Sequence, residues 1–165
     1  MFVALIILRL NMKTKIIVTG GCGYIGSHTA IELIENNFEV VIFDDLSNST
    51  EKTISRIHKI TGVSPIFVKV DLKDPVATSS AFEAHKDASG VIHFAAHKAV
   101  GESIQKPLMY YKNNFYSLIN TLEAQSEHGI KNFIFSSSAT VYGTPNTLPI
   151  TENNETQRPF SPFGN

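Results

Sequence analysis

This sequence predicts an α/β fold, a doubly wound parallel sheet left incomplete at its C-terminal side. Three observations predict it. Short runs of apolar, β-branched residues alternate with stretches of helical spacing, the pattern of strands covered on both faces by crossover helices. The first run leads straight into a glycine-rich loop, and the second ends on an acid. After a fifth run the chain continues as a polar loop with no sixth strand, where the complete fold carries more.

The elements follow in order. KIIVT, residues 15–19, is the first strand. GGCGYIG comes next, and residues 24–36 then take helical spacing, with Ile25, Thr29, Leu33 and Ile34 on related faces. EVVIF (39–43) is the second strand and IFVKV (66–70) the third. Asp74-Pro75 has the form of an N-cap and an N1 proline, opening a helix through Val76, Ala81 and Phe82. VIHF (91–94) is the fourth strand. A longer helix follows Pro107, with Leu108, Tyr111, Phe115, Leu118 and Leu122 at spacings of three or four, and Gly129 stands where a helix C′ residue belongs. NFIFS (132–136) is the fifth strand.

The chain has 165 residues, 42% hydrophobic and 18% charged, which suits one globular domain able to bury most of its apolar surface. A net charge of −1 supplies no basic field of the kind that nucleic acid or an anionic membrane would select. The single cysteine, Cys22, points to a reducing, cytoplasmic setting. FVALIIL near the start is too short to span a bilayer, and it lacks the flanks of a signal peptide. Residues 1–11 are therefore set apart as an N-terminal extension, of the kind a misplaced start leaves before Met12. Residues 12–165 are expected to form one nucleotide-binding domain.

Chemistry concentrates at the glycine loop. In Gly20-Gly21-Cys22-Gly23-Tyr24-Ile25-Gly26 the glycines give backbone room: one for the tight turn, one for close approach of a pyrophosphate, one for packing of helix on strand. The N–H groups of the helix's first turn then face the phosphates. Asp44 ends the second strand about 20 residues on, where a carboxylate accepts hydrogen bonds from the adenosine ribose and repels a 2′-phosphate, favouring NAD over NADP. Asp45 is the second candidate for that role. Cys22 fills a variable position; a helix N-terminus could lower its pKa, but nothing in the motif uses it.

Taken together, GGCGYIGSHTAIEL, FDDLSNS, HFAAHKAVGESIQKPLMYYKNN and NFIFSSSATVYG resemble the UDP-glucose 4-epimerases, extended short-chain dehydrogenase/reductases with a Rossmann-like domain. The resemblance runs over residues 14–165. It implies a tightly held NAD, a UDP-sugar substrate and pairing into homodimers through helices that include the one after Pro107. By position, it implies Tyr24 and Ile25 against the pyrophosphate, and Asp44, Asn48 and Ser49 at the adenosine ribose and nearby phosphate. Asp71 and Leu72 would edge the adenine. Phe94, Ala95 and Lys98 would flank the nicotinamide half, with Asn113 reaching toward the same pocket. Ser138 matches the catalytic serine and Thr140 a neighbouring sugar contact.

Oxidation of a sugar at C4 requires a base for the hydroxyl proton while hydride passes to NAD⁺. In the family a tyrosine is that base, a lysine four residues later lowers its pKa, and the serine hydrogen-bonds the reacting oxygen. The residues also have plainer readings. Ser136, Ser137 and Ser138 suit a polar strand end, Lys98 a solvated charge, and Tyr110 and Tyr111 helix packing. His93 and His97 straddle a strand end and a loop, so no metal site is expected.

The sequence departs from the family in two places. Ala96 stands where glycine is common. More seriously, the catalytic tyrosine falls on Phe163, in SPFGN where the family has SPYG, and its lysine would fall beyond Asn165. The family's substrate domain would lie further on still. The chain is thus expected to be a truncated epimerase whose activity is impaired. A non-catalytic NAD-binding module or sensor is one alternative, and a related nucleotide-sugar dehydratase or epimerase is another.

Overall fold

The structure, a computed structural model, describes residues 13–145 and 147–164. The extension expected at residues 1–11 lies outside the described residues. Strands β1 (Lys15–Thr19), β2 (Glu39–Asp44), β3 (Ile66–Lys69), β4 (Gly90–His93) and β5 (Asn132–Phe135) form one sheet in the order β3-β2-β1-β4-β5, and every pairing is parallel. The helices are α1 (Tyr24–Glu35), α2 (Lys52–Thr61), α3 (Pro75–Glu83), α4 (Val100–Gln105) and α5 (Pro107–Glu127). Two 3₁₀ turns follow, Ala139–Tyr142 and Pro162–Gly164.

Alternation along each strand divides the core between two faces. Ile17, Val41, Phe43 and Val91 join Phe82, Ala124 and Ile130 on the side of α3 and α5. Val18, Val40 and Ile42 join Ala30, Ile34 and Ile57 on the side of α1 and α2. Phe43 meets Phe82 edge to face at 5.4 Å, and burying each such side chain contributes about 1.5–3 kcal/mol. Because both faces are covered, the central strands carry no polar alternation, which is why they stand out as continuous apolar runs.

Register positions the site. Thr19 lies opposite Phe43 on one side and His93 on the other, so the carboxyl ends of β2, β1 and β4 finish level. The order reverses between β1 and β4, which makes this the switch point where ligands enter doubly wound sheets.

Most elements fall within a residue or two of their expected bounds. The N-cap of α3 is as expected: the Asp74 side chain accepts from the N–H groups of Val76 and Ala77, with Pro75 following. Helices α2 and α4 were not expected. In α2 the signal was present, since Ile57 faces the core, Ile54 packs beside it and Gly62 ends the helix with φ +73°; α4 has only six residues, too few to show a period. The apolar stripe of α5 is also placed differently from a core face. Leu108, Phe115 and Leu122 are exposed, whereas Tyr110, Ser117, Thr121, Ala124 and Gln125 are buried. Small and hydroxyl side chains let α5 lie close to its neighbours, and Thr121 satisfies its own hydroxyl on Ser117 O at 2.6 Å.

Candidate functional site

The loop after β1 is built from backbone constraints. Gly20 has φ +65°, and a Cβ there would lie 2.8 Å from Ala95 N, so no other residue lets β1 pass this close to the end of β4. The Gly20 N–H donates to Phe43 O at 2.7 Å and the Gly23 N–H to Gly20 O at 3.1 Å. A Cβ on Gly26 would collide with the carbonyl of Gly20, which makes this glycine the packing contact between helix and turn. Helix α1 then starts at Tyr24 with no side-chain cap and no acid in its first turn. Its leading N–H groups therefore face the cleft without a carboxylate or hydroxyl over them.

Asp44 closes the other side of this loop. Its Oδ2 accepts from Cys22 N at 2.9 Å, and its Oδ1 accepts from Leu46 N at 2.9 Å and from Ser49 Oγ at 2.7 Å. The carboxylate, 8% exposed, thus ties the loop after β2 to the glycine loop. Burial pushes the Cys22 thiol up to about 12, with Asp44 and Glu51 adding to the effect. The helix N-terminus does not activate it, and the thiol is buried.

Across the cleft, α5 organises the loop after β4. Asn114 pairs with His97 in both directions, accepting from its N–H at 2.9 Å and donating to its carbonyl at 3.0 Å. Ser117 Oγ donates to Ala95 O at 3.3 Å. Lys73 Nζ lies 3.1 Å from Asp71 Oδ1 and 3.9 Å from Asp45 Oδ2, and it donates to Asn113 Oδ1 at 3.2 Å. Asn113 in turn donates to Asn114 Oδ1 at 3.0 Å. His93 forms part of the floor, 2.8 Å from Thr19 Oγ1 and stacked on Phe135. Burial pushes its pKa down to about 4, so the imidazole is neutral near pH 7. The described residues contain no cluster of three metal-ligating side chains, and no described helix is long and apolar enough to cross a membrane.

Ser138 stands at the far end of the cleft, capping the first 3₁₀ turn. Its Oγ lies 3.2 Å from Thr140 N and 2.9 Å from Thr140 Oγ1. The second 3₁₀ turn packs against the first and against α4 and α5, bringing half-buried Phe163 to the same cleft.

One cleft of about 650 Å³ is lined by Gly20, Gly23, Tyr24, Ile25, Gly26, Asp44, Asn48, Ser49, Asp71, Leu72, Phe94, Ala95, Lys98, Asn113, Ser138 and Phe163. Of the residues to which the resemblance gives a binding or catalytic role, Thr140 alone is not among its lining. A sugar contact was expected there, but the turn directs its hydroxyl onto Ser138, and Gly164 packs so close that an added Cβ would lie 2.9 Å from Thr140 Oγ1. Tyr110, Asn114, Lys73 and His93 also line the cleft, and the sequence reading gave them no role there. The polar Asn114 between Tyr110 and Ser117 at helical spacing was the available signal.

Residues 17–165 match the family described as GDP-mannose 4,6 dehydratase. The UDP-glucose 4-epimerase of Schizosaccharomyces pombe is 51% identical over 142 residues, covering 84% of this chain and 40% of that protein. That of Bacillus subtilis is 50% identical over 138 residues, with the same two shares. Among solved structures, the UDP-glucose 4-epimerase of Bifidobacterium longum in complex with NAD⁺ and UDP superposes with a TM-score of 0.87 at 44% identity, over 92% of this chain and 45% of that one. This chain spans about two fifths of the length of the curated relatives it matches. The family match covers nearly the whole sequence, so the chain belongs to the GDP-mannose 4,6 dehydratase family, and over its length it is similar to UDP-glucose 4-epimerases.

Proposed function

We propose that this chain binds NAD in the cleft as the cofactor-binding part of a UDP-glucose 4-epimerase, and that Phe163 impairs its proton transfer. The observation that carries this reading is the single cleft running from the glycine loop and Asp44, past Lys98, to Ser138 and Phe163. The residues fit a dinucleotide. The cradle at Gly20 and Gly26 is one that a Cβ would fill. The uncapped start of α1 offers N–H groups to a pyrophosphate. Asp44 Oδ2, with one bond to Cys22 N, keeps an acceptor direction for a ribose hydroxyl.

In this reading Tyr24 and Ile25 meet the pyrophosphate, Asn48 and Ser49 the adenosine side, and Asp71 and Leu72 the adenine. Phe94, Ala95, Lys98 and Asn113 serve the nicotinamide half. NAD bound there would supply a reversible hydride acceptor for C4 of a UDP-sugar. Ser138 Oγ would hydrogen-bond the reacting oxygen, but the phenyl ring of Phe163 has no proton to take or return. The subunit pairing that the resemblance implies would use the exposed stripe of Phe115, Ile119 and Leu122 on α5. A cytoplasmic setting accords with an NAD-dependent role.

The test has two arms. NAD titration followed by fluorescence should show binding, and its absence overturns the cofactor reading. UDP-galactose turnover with added NAD should be negligible, and a rate near that of a full-length relative overturns the impairment. Phe163 also favours a second reading, a non-catalytic NAD-binding module. Phe163→Tyr in a chimera carrying the remainder of a relative separates the two. Recovered epimerisation marks a decayed enzyme, tight NAD binding without turnover marks the module, and a 4-keto-6-deoxy product marks a dehydratase.

A further inference from the structure

Lys98 lies between two backbone positions that α5 holds. On one side the Asn114 amide pairs with His97. On the other, the Ala99 N–H donates to the Tyr110 hydroxyl at 3.1 Å, and that hydroxyl donates to Glu102 Oε2 at 3.0 Å. Tyr110 is 1% exposed, and its ring centroid lies 5.6 Å from that of His97. Packing alone would be served by phenylalanine. The hydroxyl is what differs, and both of its bonds go to the segment that follows Lys98. By taking the hydroxyl proton, Glu102 leaves an oxygen lone pair directed at Ala99 N–H. Glu102 is itself held by Lys106 Nζ at 3.1 Å.

We propose that Tyr110, oriented by Glu102, is a positioning residue that fixes the Lys98–Ala99 backbone at the nicotinamide end of the cleft. This rests on the reading of the cleft as an NAD site. The consequence is selective. The adenosine half is served by the glycine loop, Asp44 and Asp71, none of which bonds to Tyr110. Loss of the hydroxyl should therefore weaken ligands that reach Lys98 and spare those that stop at the diphosphate.

The experiment measures NAD and ADP affinities by calorimetry for the unsubstituted chain and for Tyr110→Phe. The NAD Kd is expected to rise about three- to tenfold, the worth of one hydrogen bond, while the ADP Kd stays within about twofold by the same argument. Hydrogen exchange at the Ala99 amide should lose protection in Tyr110→Phe, which reads the clamp without any ligand. Glu102→Gln keeps an oxygen for the hydroxyl and should lose less NAD affinity than Glu102→Ala. An unchanged NAD Kd in Tyr110→Phe overturns the proposal, and so does an equal loss for NAD and ADP, which marks general loosening. If the unsubstituted chain binds ADP but not NAD, the NAD reading and the proposal fall together. If NAD binds normally and only the Tyr110→Phe arm is silent, the proposal falls alone.

Discussion

Gly26 has no room for one methyl group, because a Cβ would meet the Gly20 carbonyl and lie 2.8 Å from Gly21 Cα. Both neighbours are backbone, so the loop itself has to shift. Gly26→Ala is expected to destabilise the chain by about 1–3 kcal/mol through overpacking and to abolish measurable NAD binding, read by urea denaturation and fluorescence titration. His93 gives a second prediction at this scale. Burial holds its pKa near 4, below the ordinary value, so between that pH and about 6.5 the unfolded chain takes up a proton that the folded chain refuses. Stability attached to this group is therefore complete above pH 6.5 and is lost as pH falls, by up to about 3 kcal/mol at 1.36 kcal/mol per pH unit. The urea midpoint of His93→Gln should fall less steeply than that of the unsubstituted chain between pH 7 and pH 5. Residues such as Gly20, Gly26 and Asp44 were legible because a backbone turn and a ribose each restrict residue type. Tyr110 and Asn114 were harder to read: helical spacing sets Asn114 in line with Tyr110 and Ser117, but the backbone groups they hold, Ala99 N–H and the N–H and carbonyl of His97, are common to every residue type.

Among the elements, α3 shows how a local signal and a structural contribution coincide. Asp74 Oδ1 accepts from Val76 N at 2.9 Å and from Ala77 N at 3.1 Å, satisfying two of the free donors at the helix start. The helix it begins buries Phe82 and Ala81 against the sheet. Asp74→Ala should cost about 1 kcal/mol, at most about 2, while Asp74→Ser should retain most of the stability; thermal denaturation of the pair checks both. Caps of this type are visible in sequence because they depend on a short local pattern. The orientation of α5 was less visible. Its large apolar residues suggest a core face, but its small and hydroxyl residues are the buried ones, and Asn114 and Ser117 bond the loop after β4 along the wall of the cleft. Hydrophobic spacing identifies the helix without saying which stripe faces inward when both stripes have helical period.

For the molecule as a whole, the sheet order β3-β2-β1-β4-β5 leaves its two edges in unequal states. At β3 the edge is short, preceded by Pro65 and ended by Lys69, features that discourage further pairing. Among the described residues β5 pairs only with β4, and it presents Ile134 at 60% and Phe135 at 54% exposure. Apolar side chains beside unpaired backbone donors and acceptors form a surface on which another strand can add. The sequence anticipated this state, because NFIFS has the apolar character of a buried strand and no further strand follows it among the described residues. The chain is therefore expected to bind an apolar dye such as ANS and to associate with rising concentration in sedimentation velocity. Ile134→Lys should reduce both, because a charge on the edge strand opposes pairing. It should leave NAD affinity unchanged, since Ile134 is outside the cleft lining. A chain that stays monomeric at high concentration and ignores the dye would show that the face beside β5 is covered in solution. Equal association with and without the lysine would instead assign the contact to the apolar stripe of α5, which Phe115→Glu then tests by the same sedimentation measurement.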